Sequence, residues 1–219
     1  MYEEQFKFYM SKPLKFIEGA TGTLSNPSKM PSRGTSTPAY NCITGSKLVD
    51  IIGSVCEDCY ARKGRYVMPN VDDAMMTRFD ALGDPDWVPA MAALITKREK
   101  SGYFRWHDSG DVQGLWHIDN IMSVCKLTPE IDHWLPTKEQ RMFRVWFKRG
   151  GILPDNMVVR YSAHMKDEAP DMLPGSMVTT TGEVPEGVDL CPAPSQDGEC
   201  GNCRKCWDPT VDVSAYHVH

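Results

Sequence analysis

The chain contains no apolar run approaching the roughly 18–20 residues needed to span a bilayer, which argues against a helical membrane protein. Its opening stretch, MYEEQFKFYMSKPLKF, mixes charges throughout and has no continuous apolar core, so it does not read as a secretory signal. A phosphate-cradling glycine loop and a Ser–His–Asp hydrolase arrangement are missing, as are internal repeats and low-complexity tracts. Positive charge is also in short supply. The net charge of −5 gives no general electrostatic hold on nucleic acid, although it does not exclude a local basic patch. These absences leave a globular protein expected in a reducing cytoplasm. With 219 residues, 41% hydrophobic and 24% charged, the chain suits one sizeable core.

Cysteine, by contrast, is abundant, and seven of the eight residues fall into two groups. The eighth, Cys125, lies at helical spacing with Ile118, Ile121 and Met122 and reads as a core residue. In a reducing compartment closely spaced cysteines indicate metal binding or redox chemistry, with disulfides as the alternative. The carboxyl-terminal group is Cys191, Cys200, Cys203 and Cys206, in CPAPSQDGECGNCRKCW. Its CxxCxxC run resembles that of bacterial ferredoxins and suits the corners of an iron–sulfur cubane, while tetrahedral zinc could use the same four thiolates. The amino-terminal group is Cys42, Cys56 and Cys59, in NCITGSKLVDIIGSVCEDCYARKG. Three thiolates on a [4Fe–4S] cluster leave one iron open, and such an iron can chelate S-adenosylmethionine and, once reduced, cleave its sulfonium. A zinc site completed by histidine, or a single site drawing on both groups, are the other readings.

The hydrophobic pattern predicts an α/β fold. Residues 1–34, with scattered Gly, Ser and Pro, read as an extended lead-in; residues 35–190 as a partial parallel βα barrel of about six strands; residues 191–219 as a Cys-rich metal-binding segment. Strands are expected at 35–41, 103–111, 133–138, 156–164, 176–182 and 188–193. Helices are expected from near Glu57, over 71–82, 85–100 and 113–127, and again before Gly150–Gly151. A flat doubly wound sheet is the alternative to the barrel. His217 and His219 are placed in a frayed tail.

Each expected strand ends in reactive or binding groups: His107-Asp108-Ser109-Gly110-Asp111, Thr137-Lys138, Ser162-Ala163-His164 and Thr179-Thr180-Thr181. Parallel α/β proteins bind ligands at the carboxyl ends of their strands, so these groups and the first cysteine loop are expected to line one mouth. Asp108, Ser109 and Asp111 are the catalytic candidates, and together with His107, Lys138 and His164 they are the cofactor-binding candidates. Asp111 as a helix cap, Lys138 as a surface lysine and His164 as a structural histidine are the competing assignments.

The segments CEDCYARKGRY (56–66), FRWHDSGDV (104–112), LPTKEQ (135–140), VVRYSAH (158–164) and CGNCRKCWD (200–208) together resemble the phage "gene product 88" family. The resemblance spans most of residues 40–208. It implies a phage-encoded iron–sulfur protein with a radical-SAM-like partial barrel, working in the host cytoplasm with a reductant such as ferredoxin or flavodoxin. It also implies that the exit of the second strand, here WHDSGD, contacts the amino group of S-adenosylmethionine. The spacing Cys42-x13-Cys56-x2-Cys59 differs from the Cys-x3-Cys-x2-Cys of radical SAM enzymes. The expected function is therefore a radical-SAM-like enzyme acting on a small molecule or a macromolecule. The alternatives are a non-enzymatic protein, with structural zinc or clusters and a host partner, and an electron-transfer protein.

Overall fold

The computed structural model describes residues 2–218, which leaves His219 outside the described residues. Its centre is an all-parallel sheet of seven strands. These are β1 (Arg33–Gly34), β2 (Tyr103–Arg105), β3 (Asp132–Thr137), β4 (Met157–Ser162), β5 (Gly175–Thr179), β6 (Val188–Leu190) and β7 (Val213–His217). The spatial order is β1-β2-β3-β4-β5-β7-β6, with β1 and β6 at the two edges. Helix crossovers connect the middle strands: α6 (Leu115–Leu127) joins β2 to β3, and α7 (Gln140–Lys148) joins β3 to β4. No helix among the described residues is long and apolar enough to cross a membrane.

The expected α/β class and its parallel strands are present, and four differences have identifiable causes. Residues 1–34 are not an extended lead-in, because they contain helices α1 (Tyr2–Met10) and α2 (Leu14–Thr21). Tyr9, Ile17 and Ala20 pack on Ala90, Ala93 and Leu94 of α5 (Trp87–Arg98), and the glycine- and proline-rich residues begin only as α2 ends. The strand expected at 35–41 does not form: β1 ends just before it, and Ala39–Asn41 forms a 3-10 turn after Pro38. Near Glu57 no long helix forms. Ser54 Oγ accepts the amides of Cys56 and Glu57 at 3.2 and 3.0 Å, and these local bonds displace helical ones. Finally, the tail holding His217 is strand β7, inserted between β5 and β6, so the strands number seven rather than six.

α5 is apolar on every side because it is covered twice. Ala90 and Ala93 are fully buried, which lets α1 and α2 approach its outer face while Val88, Met91, Ala92 and Ile95 join the main core. On the sheet, Arg160 of β4 is fully buried. Its guanidinium donates to the carbonyls of Cys206, Val211, Lys205 and Asp208 at 3.0, 2.8, 2.6 and 2.7 Å. Trp207 is buried beside this turn and donates to the Phe104 carbonyl at 3.0 Å. Together they moor the carboxyl-terminal segment to the middle of the sheet.

Two consequences can be measured. Arg160→Met leaves four carbonyls without their donor and should lower unfolding free energy by about 3 kcal/mol or more, read by urea denaturation, with Arg160→Lys recovering part. The second concerns His133, which accepts the Trp106 indole N–H at 3.2 Å and contacts Thr128 Oγ1 at 2.9 Å. Burial lowers its pKa from 6.5 to about 3. Below pH 6.5 the unfolded chain therefore gains a proton that the folded chain refuses until about pH 3. Stability should fall with acidification across this window, with His133 contributing about 1.4 kcal/mol per pH unit. His133→Gln should flatten the acid limb of a urea-stability series by that amount.

Candidate functional site

A cavity of about 630 Å³ opens over the carboxyl ends of the strands. It is lined by the three cysteines of the first group and by His107, Asp108, Ser109, Asp111 and Lys138. Ser162 and Ala163 also line it, whereas His164, Thr179, Thr180 and Thr181 do not. His164 instead places its Nε2 3.1 Å from the Lys138 carbonyl, and its own carbonyl accepts the Val55 amide at 3.0 Å. It thus braces the cysteine loop against the exit of β3. Thr180 is tied to Asp167, and Thr179 Oγ1 donates to the Glu183 carbonyl, so these hydroxyls shape a turn.

The loop carrying Cys42, Cys56 and Cys59 has little regular structure of its own, and contacts from three strand exits hold it. Glu139, buried after β3, accepts the Thr44 amide and hydroxyl at 2.7 and 2.8 Å. Lys166, after β4, pairs with Glu57 at 3.1 Å, and the same carboxylate accepts the Gly53 amide at 2.9 Å. Tyr60 donates to the Asp108 carbonyl after β2. Gly45 opens the short helix α3 (Gly45–Leu48) inside the loop. A side chain there would meet Cys42 Cβ at 3.0 Å, with Cys56 Sγ and Cys42 Sγ at 3.6 and 3.7 Å, so both thiols border the space that Gly45 leaves clear.

The exit of β2 is a tight polar turn laid against residues 35–37. The Thr37 amide donates to the Ser109 carbonyl at 3.0 Å, and Ser109 Oγ returns a bond to the Thr37 carbonyl at 2.9 Å. His107 takes a left-handed φ of 54°, a strained setting for a side chain with a Cβ. Its Nδ1 is buried without a partner among the described residues, and burial, reinforced by the Arg105 charge, lowers its pKa to about 3, so the ring is neutral. Asp108 is held by Ser25 Oγ at 3.2 Å and Tyr66 Oη at 3.3 Å, while burial raises its pKa.

Asp111 does not cap α6, whose N-cap is Gly114 without a side-chain bond. Its carboxylate accepts the Val112 amide, Thr137 Oγ1 and the Lys138 amide at 2.8, 2.6 and 2.8 Å, joining the ends of β2 and β3. Burial outweighs these donors and raises the pKa from 3.8 to about 6. This group therefore favours the folded state below pH 3.8 and loses that contribution as pH rises through about 6, opposite in sign to His133.

All eight cysteines are free, so disulfides do not account for either group. Burial raises the Cys42 and Cys56 pKa values. Asp111 and the neighbouring thiols raise Cys42 further, while Lys138 lowers both. Two thiols that resist ionising beside each other would need a cationic centre to hold both as thiolates. Among the described residues no three His, Cys, Asp or Glu side chains close around a single ion-sized point. In the second group the Cys203 amide donates to the Cys200 carbonyl at 2.9 Å, and Cys206 Sγ lies 3.2 Å from Tyr216 Oη. Burial raises the Cys206 pKa to about 11. Tyr216 lines the cavity and the four cysteines do not, so the quartet stands behind its wall.

Several lining residues carry no sequence signal of their own. Tyr66 and Arg105 lie inside the segments that carry the family resemblance without standing out there, Lys166 is ordinary in composition, and Tyr216 adjoins the tail expected to fray. A family model, gene product 88, matches residues 19–209. No curated protein and no solved structure matches the chain.

Gly110 tests how closely the β2 exit must approach the chain leading to Cys42. Its φ is 83°, and a Cβ there would lie 1.9 Å from Thr37 Oγ1 and 2.9 Å from the Thr37 carbonyl oxygen. Gly64 also has positive φ but open space around it. Gly64→Ala should cost about 1–2 kcal/mol from backbone strain alone. Gly110→Ala should cost clearly more in the same urea assay, and equal costs would contradict the close approach.

Proposed function

The chain belongs to the gene product 88 family, and from that premise we propose that it is an iron–sulfur protein of radical-SAM-like type. The observation that carries this reading is the convergence of Cys42, Cys56 and Cys59 on one cavity with Asp108, Ser109, Asp111 and Lys138. The three cysteines would hold a [4Fe–4S] cluster, and the quartet of Cys191, Cys200, Cys203 and Cys206 a second, auxiliary one. A bound cluster with one iron free of protein ligands supplies the electron for reductive cleavage of S-adenosylmethionine. The electron comes from an external donor of ferredoxin or flavodoxin class.

The chain's own residues then have distinct tasks. Asp108 and Asp111 present carboxylate oxygens to the ammonium of S-adenosylmethionine, with Ser109 beside them. Asp111, already accepting three donors, keeps the ends of β2 and β3 in register with the cysteine loop. Lys138 offsets the charge of the Cys42 and Cys56 thiolates. Neutral His107 lines the cavity without adding charge. The quartet's place behind Tyr216, beside the turn moored by Arg160, supports a structural or relay role for its metal.

Anaerobic purification with iron and sulfide analysis, followed by EPR after dithionite reduction, tests this reading. Two clusters per chain and a spectral change on adding S-adenosylmethionine are expected. Cys59→Ala should remove the amino-terminal signal and keep the other. Zinc as the sole metal would sink the proposal. Iron that ignores S-adenosylmethionine would leave a structural or electron-transfer protein.

A further inference from the structure

We propose that Arg105 anchors an anionic group of the substrate, a carboxylate or a phosphate, at the wall of the cavity that also holds Cys42, Cys56 and Cys59. The inference rests on the cavity being the reaction chamber of the proposed enzyme, and it names the class of molecule that chamber accepts.

Arg105 ends β2 and lines the cavity. Its guanidinium lies over the Trp134 ring, 4.7 Å from the centroid, which fixes the plane of the fork. Among the described residues its donors reach no oxygen. Nη1 lies 3.2 Å from the Met30 sulfur, a weak acceptor, and Nε is buried without a partner. It makes no ion pair with a described carboxylate. Asp108 is close enough to support its charge but is bonded to Ser25 and Tyr66 instead.

The other buried arginines show what saturation looks like in this fold. Arg160 donates to four carbonyls, and Arg78 donates to Thr23 and Ser36. A cation set into the wall of a cavity without a protein oxygen acceptor leaves its donors to whatever enters the cavity, water or an anionic ligand. The guanidinium fork matches the paired oxygens of a carboxylate or phosphate.

The position is informative as well. The charges acting on Cys42 include Asp111 and Lys138, whereas Arg105 acts on Cys200 and Cys206 across the wall. Burial works against its charge, and the nearby Asp108 carboxylate supports it. A molecule held by its anionic end at Arg105 would share the cavity with the three cysteines.

The full chain, purified anaerobically, is titrated by calorimetry with inorganic phosphate and with malonate at constant ionic strength, and iron is measured on each preparation. At least one anion should bind saturably, and which one binds separates a phosphate from a carboxylate substrate. Arg105→Gln should weaken binding about tenfold or more, Arg105→Lys should give an intermediate loss because it keeps charge without the fork, and Arg149→Gln should bind as the unsubstituted chain. Absence of binding to either anion overturns the proposal, as does undiminished affinity in Arg105→Gln. Loss of iron in Arg105→Gln, with full iron and full affinity in Arg105→Lys, would make Arg105 a counter-ion of the quartet and also overturn it. Anion binding by an iron-free chain would uphold the anchor while the cluster assignment fails.

Discussion

A guanidinium buried inside a parallel sheet must find oxygen acceptors, and Arg160 finds four on one stretch of the carboxyl-terminal chain. Much of the molecule follows from that constraint. The 205–211 turn is drawn onto the sheet, which lets Trp207 settle against Tyr103 and Trp134 with ring centroids 5.3 and 5.2 Å apart. From the moored turn the chain enters the sheet as β7 and brings Tyr216 to the cavity wall. Cys206, whose carbonyl is one of the four acceptors, is set with its sulfur toward that tyrosine.

The opposite side of the cavity is organised by a different economy of bonds. The cysteine loop has only short helical turns of its own, and side-chain bonds tie it to distant elements. Glu139, Lys166 and Tyr60 each join it to the exit of a different strand. The positions of the three sulfurs are consequently determined by the sheet rather than by local helix geometry. A change in the spacing of β2, β3 and β4 would be felt at the thiols.

Much of this fold could be read from local pattern. The β3-α7-β4 alternation, the apolar stripe of α6 and the two cysteine groups are visible because periodicity and spacing are properties of neighbouring residues. What was not legible depends on residues far apart in the chain. α1 and α2 are helices because α5 offers them an alanine face, and the Gly and Pro after α2 obscured this. β7 is short and polar at its end, and only its place between two other strands makes it a strand. The site divides in the same way. His107 to Asp111 could be placed at a strand exit, whereas Asp111 joins two exits through Thr137, which no spacing shows. Arg105 is one more charged residue in YFRW until Trp134 and Met30 are seen beside it.

The strand order carries a consequence for assembly. β6 pairs only with β7, so the segment leading to Cys191 gains its place in the sheet only after a later stretch of chain has arrived beside it. All four quartet cysteines precede β7 in the chain, and the Cys191 amide is bonded to the Ala215 carbonyl at 2.8 Å. Long-range parallel pairing is a slow event in folding. The four thiols of this segment are therefore most open to solution in the interval before β7 docks beside β6.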